Sequence, residues 1–147
     1  MAAIRRAQAV WQGDLMSGSG IVSAATSGAF ADLPVTWASR TESADGRTSP
    51  EELIAAAHAA CYSMALSNEL AKGGTPARRL EVSATVTFDR VAGQWTVATS
   101  ELRVMGDVPG ITADAFRGAA NAAKDGCPVS RALRGNVAIS VEATLVG

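Results

Sequence analysis

Three short stretches near the start of the chain alternate loosely between apolar and polar residues. They are residues 4–12, 19–26 and 33–38, and segments rich in glycine, serine and aspartate separate them. An alternation with a period of two places successive side chains on opposite faces of a strand. The pattern therefore predicts three short strands that form a meander.

The longest apolar stretch, SPEELIAAAHAACYSMALSNELAK (residues 49–72), predicts one long helix. Ser49 suits the N-cap, Pro50 suits the first helical position, and Glu52 can close a capping box. The sequence KGGTP then ends the helix. Small and apolar residues occupy nearly the whole circumference of this helix. We therefore expect it to be buried on more than one side, with a second copy of the chain as the natural cover.

The rest of the chain predicts a hairpin, a second long helix and a last strand. Apolar residues alternate over residues 82–88 and continue after a turn at Ala92-Gly93, which is typical of two antiparallel strands. Thr112 is a suitable N-cap for an alanine-rich helix. The remaining predicted elements are that helix up to Gly126, a short helical turn at 128–134 and a strand at 136–146.

The predicted order is three strands, a helix, two strands, a helix and a strand. No regular alternation of strand and helix persists, so antiparallel pairing is favoured and the fold class is α+β. The chain has 147 residues, the length of one domain. A domain of this size buries roughly 70% of the surface that its unfolded chain exposes. We expect a single domain over residues 1–147.

Charge and composition narrow the classes of function. The net charge is −1 and the isoelectric point is about 5.8, which favours neither a nucleic acid nor a membrane as a partner. No stretch approaches the ~18 apolar residues of a membrane span, and the first residues lack the apolar run of a signal peptide. We expect a cytoplasmic location. Two cysteines are too few for a disulfide framework, so a disulfide here would be transient and functional.

The two cysteines occupy different environments in the predicted fold. Cys61 lies in the middle of the long helix, where a cysteine is more often an inert packing residue. Cys127 lies directly before Pro128 at a predicted helix N-terminus, which favours a thiolate. His58 precedes Cys61 by three residues, either as a base for the thiol or, at least as readily, as a hydrogen-bonded core residue. Packing and redox chemistry both stay open from the residues alone.

Other candidate groups are weakly indicated by the residues. His58 and the two cysteines supply only three of the four ligands of a zinc site and lack its paired spacing, so we expect no metal. Glycine motifs for nucleotides and the GxSxG motif do not occur, and we expect no cofactor. Spacing alone does not select Arg40 or Glu51 as site residues. Arg40 can be a solvated surface charge, and Glu51 is explained by its favourable place in the first turn of a helix.

The segments SPEELIAAAHAACYSMAL and DGCPVSRAL together closely resemble the OsmC/Ohr family, the osmotically inducible protein C and organic hydroperoxide resistance proteins. Within this family the resemblance is to the OsmC branch. The order of strands and helices extends it over essentially all 147 residues. The resemblance implies an intertwined α+β homodimer with antiparallel sheets, a long central helix and an active site at each end of the dimer interface.

The resemblance also implies a cysteine-dependent peroxidase that acts on organic hydroperoxides and, in the wider family, on hydrogen peroxide. Cys61 is then the peroxidatic thiol and Cys127 the resolving thiol, and an external dithiol or lipoyl-type reductant reopens their disulfide. No prosthetic group is required. The family's arginine and glutamate map to Arg40 and Glu51, with Arg47 as the reserve for the arginine.

Helix geometry adds a constraint to this mapping. If residues 50–71 form one straight helix, Glu51 and Cys61 are separated by ~15 Å along its axis, farther than a glutamate side chain spans. No proline or glycine interrupts this stretch to cause a kink. We therefore expect two antiparallel copies of the helix, with Glu51 of one chain near Arg40 and Cys61 of the other.

A different class of function uses the same features. Trp37, Phe30 and Met64 are candidate contributors to a small apolar pocket over Cys61. Such a pocket also suits a noncatalytic dimeric module that binds a small hydrophobic ligand while both cysteines stay inert. A peroxide sensor is a third alternative, but no helix-turn-helix or basic face supports it.

Overall fold

The computed structural model describes residues 1–147, which divide into two compact units, residues 1–53 and 54–147. The first unit contains a three-stranded antiparallel sheet in the order β1-β2-β3. Its strands are β1 (Gln8–Gln12), β2 (Ser19–Ser23) and β3 (Leu33–Val35). The predicted meander is confirmed, although each strand is shorter than its pattern suggested.

A short helix, α1 (Trp37–Thr41), follows β3 where the pattern predicted strand and loop. Thr36 is its N-cap: the Thr36 hydroxyl accepts the N–H of Ser39, and the Ser39 hydroxyl accepts the N–H of Thr36. This reciprocal capping box satisfies two N–H groups that the helix would otherwise leave unpaired. The prediction of a strand up to residue 38 is therefore wrong, because the capping box begins a helix.

The longest helix, α2 (Pro50–Lys72), is unbroken and begins as predicted. The Ser49 hydroxyl accepts the N–H of Glu52 at 3.1 Å, so the N-cap is confirmed. The predicted capping box does not close. The Glu52 carboxylate instead accepts the hydroxyl of Thr48 at 2.7 Å, because that side chain offers a donor one residue earlier. Beyond Lys72, Gly74 adopts a left-handed φ of 84°, which ends the helix.

One face of α2 is buried within the chain. His58, Tyr62, Leu66 and Leu70, spaced four residues apart, are at most 1% exposed. A spacing of four keeps these side chains on one stripe of the helix. Met64, on another face, is 68% exposed. A single chain therefore buries one stripe of α2, and burial on more than one side requires a second molecule.

The second unit contains the sheet β4-β5-β6. Its strands are β4 (Arg79–Val91), β5 (Gln94–Asp107) and β6 (Ala138–Leu145). The predicted hairpin is confirmed, and its turn residues Ala92 and Gly93 have positive φ values of 52° and 80°. Positive φ at both positions is the geometry that matches the twist of two antiparallel strands.

The last strand pairs differently from the expectation. β6 runs parallel to β5, whereas the sequence favoured antiparallel pairing throughout. Two helices, α3 (Ala113–Gly126) and α4 (Pro128–Leu133), form the crossover that a parallel pair requires. The predicted N-cap of α3 is confirmed, since the Thr112 hydroxyl accepts the N–H of Ala115 at 3.1 Å. The α+β fold class is confirmed, with one antiparallel and one mixed sheet.

The core of the second unit joins α2, α3 and the sheet. Phe116 of α3 is fully buried against Gly106 of β5, where an added Cβ would lie 2.5 Å from the ring. The Tyr62 hydroxyl donates to the carbonyl of Ala120 at 2.9 Å, which ties α2 to α3. The fully buried Cys127 belongs to this core. Among all the helices, none is both long and apolar enough to cross a bilayer.

Candidate active site

Arg40 and Glu51 of the same chain form an ion pair within the first unit. The expectation that Glu51 would pair with Arg40 of another chain is therefore wrong, because the two helices that carry these residues follow each other in the chain and bring them together. Arg40 lies in the last turn of α1, in a helix and not in the loop that the sequence suggested, and Glu51 lies in the first turn of α2. The Arg40 Nε donates to both Glu51 carboxylate oxygens, at 2.9 and 3.1 Å, and Nη2 donates to Oε1 at 2.8 Å. Glu51 is only 6% exposed. Multiple charge-assisted bonds of this kind fix the plane and direction of the guanidinium.

The structure separates the two candidate arginines. Arg47 lies at the surface, where its acidic partner, the still more exposed Asp45, is 3.4 Å away. An exposed pair contributes little to the position of either side chain. Arg40, in contrast, pairs with a buried carboxylate, and its guanidinium lies 5.9 Å from the centre of the Trp37 ring. Arg40 is therefore the arginine that Glu51 orients.

A cavity of about 310 Å³ lies beside this ion pair in the first unit. Most of its lining is apolar, and Arg40 contributes to its wall. Phe30 and Met64, expected to contribute to an apolar pocket with Trp37, do not line it. An apolar cavity with one cationic group suits a small molecule that has an apolar body and a polar or anionic end. Its lining residues are Trp11, Leu15, Val35, Thr36, Trp37, Arg40 and Pro50.

Cys61 and Cys127 meet in the second unit. Cys61 is partly buried on α2, Cys127 is fully buried at the junction of α3 and α4, and both are free thiols. Each thiol shifts the pKa of the other, so the two side chains lie near each other. Two residues far apart in sequence are thus placed where their sulfur atoms can react with each other.

The surroundings shift the pKa values of the two thiols in opposite directions. Burial raises the pKa of Cys61, and the neighbouring Cys127 adds to this, while the N–H of Val129 acts in the opposite direction. Burial alone would also raise the pKa of Cys127. Four neighbouring groups outweigh the effect of burial, so the pKa of Cys127 is lowered. They are the N–H of Ser130, the Cys61 thiol, the Ser130 hydroxyl and the N–H of Val129. The pair titrates as a unit in which the negative charge is favoured on Cys127.

His58 lies between two serines in the same buried region. Its Nδ1 is 2.6 Å from the Ser100 hydroxyl oxygen on β5, and its Nε2 is 2.8 Å from that of Ser130 on α4. All three residues are fully buried. Burial lowers the pKa of His58, which favours the neutral imidazole. His58 is therefore the hydrogen-bonded core residue that the sequence left as one of two alternatives.

Ser100 and Ser130 were missed by the sequence reasoning. Ser100 stands opposite Val86 in the β4–β5 register, at a core-facing position where a polar residue needs a buried partner. That polar interruption of an apolar face is a signal that the sequence contains. Ser130 lies three residues after Cys127, in the first turn of α4. Its link to His58 spans 72 residues and has no local signal.

The described residues include no cluster of three or more histidine, cysteine, aspartate or glutamate side chains arranged to hold a metal ion. The groups that these regions do present are a thiol pair, a neutral imidazole and an arginine–glutamate ion pair.

Comparisons with known proteins find relatives over most of this chain. The profile of the family described as OsmC-like protein matches residues 43–142, which include both cysteines. The chain is 39% identical over 138 residues to Peroxiredoxin OsmC of Escherichia coli K12, an alignment that covers 94% of this chain and 95% of that protein. The protein of the same name from Shigella flexneri matches equally well.

Solved structures share the fold. The OsmC like protein from Mycoplasma pneumoniae superposes with a TM-score of 0.74 at 16% identity, with 100% of both chains covered. The Organic Hydroperoxide Resistance Protein OhrB of Bacillus subtilis superposes with a TM-score of 0.71 at 22% identity, covering 95% of this chain and 98% of that one. With the profile matching most of its length and a relative at 39% identity, this chain belongs to the OsmC family.

Proposed function

We propose that this protein is a cysteine-based peroxidase that reduces organic hydroperoxides, with hydrogen peroxide as a further substrate. The observation that carries the proposal is that Cys61 and Cys127, two free thiols, lie near each other in an OsmC-family chain. The name of the Escherichia coli relative, Peroxiredoxin OsmC, supports the same activity. A module that only binds a ligand has no need of two adjacent thiols.

In the first step the Cys61 thiolate attacks one peroxide oxygen. The O–O bond breaks, Cys61 becomes a sulfenic acid, and the departing alkoxide takes up a proton to become an alcohol. Cys61 is the more exposed of the two sulfurs, which supports its role as the peroxidatic thiol. Cys127 is fully buried and cannot meet a bulky hydroperoxide first.

In the second step Cys127 attacks the sulfenic sulfur. An S–S bond forms, the S–O bond breaks, and the hydroxide leaves as water with the proton that Cys127 has given up. The lowered pKa of Cys127 supports its role as the resolving thiol, even though burial by itself opposes the thiolate. A dithiol or lipoyl-type reductant then restores both thiols by disulfide exchange.

The Arg40–Glu51 ion pair supplies the positive charge that the thiol pair lacks. The groups that shift the pKa of Cys61 are burial, Cys127 and the N–H of Val129, and none of them is a cation. A guanidinium favours a thiolate and stabilises a departing alkoxide, and Arg40 is already oriented by Glu51. The apolar cavity beside Arg40 suits the organic part of a hydroperoxide.

The proposed active unit is a homodimer with shared sites. Because α2 is unbroken, Glu51 and Cys61 of one chain are ~15 Å apart along its axis. Two antiparallel copies of α2 would bring the ion pair of one chain to the thiols of the other. The exposed Met64 face supports this contact, since a second copy would cover it. A cycle that depends on reduced thiols operates in a reducing compartment, and we place it in the cytoplasm.

Thiol titration tests the proposed activity. The reduced protein is titrated before and after one equivalent of cumene hydroperoxide or tert-butyl hydroperoxide. We expect the loss of both thiols per chain and their return with a dithiol. If both thiols survive the hydroperoxide, the activity is wrong and the cavity belongs to a noncatalytic binding module.

A further inference from the structure

Four buried side chains form a continuous line that ends at Cys127. Ser100 on β5 contacts His58 on α2, and His58 contacts Ser130 on α4. The Ser130 hydroxyl, in the first turn of the helix that Cys127 begins, is among the groups that lower the pKa of Cys127. Each of the four is fully buried. The proposed reaction uses only the last member of this line, which leaves the purpose of the other three unexplained.

The direction of the hydrogen bonds follows from the chemistry of each group. A thiolate can only accept, so the single O–H of Ser130 must donate to Cys127. In its bond with His58, the Ser130 oxygen must then be the acceptor, so His58 Nε2 carries the hydrogen. A neutral imidazole has one donor and one acceptor, so Nδ1 accepts the O–H of Ser100. Each donor in the line thereby points towards the Cys127 sulfur.

The geometry leaves no ring nitrogen of His58 for Cys61. Both nitrogens are within 2.8 Å of a serine hydroxyl oxygen. The lowered pKa of His58 also keeps the ring neutral, so it neither stores a proton nor adds a charge. A role as the base of the peroxidatic thiol, one of the alternatives that the sequence left open, is not supported.

We propose that His58 is a positioning residue for the resolving thiol: its Nε2–H tautomer, fixed by Ser100, orients the Ser130 hydroxyl to donate to the Cys127 thiolate. This inference rests on the proposed function, because it assigns the line to the step in which Cys127 attacks the sulfenic acid. The atoms and electrons of that step are unchanged. The line favours the attacking thiolate before S–S bond formation begins.

The tautomer can be observed directly. The chain contains one histidine, so ring ¹⁵N labelling gives a single pair of imidazole nitrogen signals. In the reduced, full-length protein at neutral pH we expect the Nε2–H tautomer. A predominant Nδ1–H tautomer or a charged ring would overturn the inference, because Ser130 could not then donate to Cys127 in the stated way.

Two matched serine variants test the effect on the thiol. Ser130→Ala and Ser100→Ala each remove a buried hydroxyl that contacts His58, but only Ser130→Ala removes the direct donor to Cys127. In a Cys61→Ser background, we expect Ser130→Ala to lower the Cys127 thiolate fraction at neutral pH by about tenfold, and Ser100→Ala to lower it less. An equal change in the two variants would overturn the inference, since any loss of packing around His58 would then explain it.

The same variants are compared in single turnover with both cysteines present. A thiol of higher pKa is less ionised but more nucleophilic, so Ser130→Ala should slow disulfide closure by only about threefold. His58→Gln keeps an N–H donor near Nε2 and should close the disulfide faster than His58→Leu. Equal closure rates in these two variants would contradict a role for the Nε2–H donor.

The peroxidase activity and the positioning role of His58 can be disproved independently of each other. If hydroperoxide leaves the thiols intact, the peroxidase is wrong, while the tautomer and the thiolate fraction are measured without peroxide. If two thiols are consumed but Ser130→Ala has the wild-type thiolate fraction and closure rate, the peroxidase stands and the positioning role of His58 is wrong.

Discussion

The ion-pair region (Trp37, Arg40 and Glu51) and the thiol region (His58, Cys61, Ser100, Cys127 and Ser130) are built in opposite ways. Arg40 and Glu51 are 11 residues apart on consecutive helices, and their contact is charged and partly exposed. In the thiol region the contacts of His58 span 42 and 72 residues and are fully buried.

The cation and the nucleophile are therefore held by different kinds of structure. The ion-pair region forms from a short stretch of chain and orients a permanent positive charge. The thiol region exists only when α2, β5 and α4 pack together, and it holds its nucleophiles among neutral groups. Peroxide reduction by the proposed route needs both, so the predictions below ask what each region contributes and whether two chains combine them.

The largest effect is expected from the thiols themselves. Cys61→Ser should abolish peroxide consumption, because the attacking sulfur is gone. Cys127→Ser should allow one oxidation per chain and then stall or over-oxidise, because nothing resolves the sulfenic acid. Peroxide consumption and the mass of the oxidised chain measure both outcomes. Equal residual turnover in the two variants would mean that these roles are misassigned.

The next largest effect is expected in the ion-pair region. Arg40→Ala should slow the first oxidation by about 10²-fold, the usual loss on removing one transition-state charge donor, and raise the pKa of Cys61 further. Arg47→Ala is the matched control, because Arg47 is exposed and does not contact Glu51. Stopped-flow oxidation and thiolate absorbance in a Cys127→Ser background measure these changes. A larger shift from Arg47→Ala would reassign the arginine.

A smaller but more specific effect should appear when two inactive proteins are mixed. Heterodimers of Cys61→Ser and Glu51→Ala chains would have one site with both lesions and one with neither. After full exchange, about a quarter of all sites should be intact, so activity should exceed the mean of the two parents. Heterodimers must first be verified by native mass spectrometry. Verified heterodimers without this gain would place Glu51 in its own chain's site or outside the chemistry.

The smallest effect concerns stability and belongs to the thiol region alone. Burial lowers the pKa of His58 from its ordinary value of 6.5, so below that pH the unfolded chain binds a proton that the folded chain does not. The free energy of unfolding should therefore fall with decreasing pH, by at most about 1.4 kcal/mol per pH unit from this group. Urea unfolding between about pH 5.5 and 7.5 measures the slope. His58→Gln should flatten it, and an unchanged slope would assign it to other groups.

Local rules predicted much of the fold. Ser49 and Thr112 cap α2 and α3 as expected, and Ala92-Gly93 forms the hairpin turn, because caps and tight turns depend on a few adjacent residues. The helix α1 was missed, although its Thr36 and Ser39 capping box is also local. The apolar residues before it, Leu33, Pro34 and Val35, favour a strand, and the helix begins only where the capping bonds form.

Pairing at a distance was less predictable. The parallel direction of β6 follows from the path of α3 and α4 across the sheet, and no residue within β6 specifies it. The sequence also left His58 with two roles. The choice between them depended on where two serines from other elements came to lie.

By itself, the sequence determined the order of the main elements, the family and the two cysteines, because periodicity, caps and motif residues are properties of neighbouring positions. Only the tertiary structure decided that Arg40 pairs with Glu51 of its own chain, that Cys61 lies near Cys127 and that His58 contacts Ser130. The reason is physical. Contacts between distant residues depend on how whole helices and sheets pack, and burial then sets which thiol holds the charge.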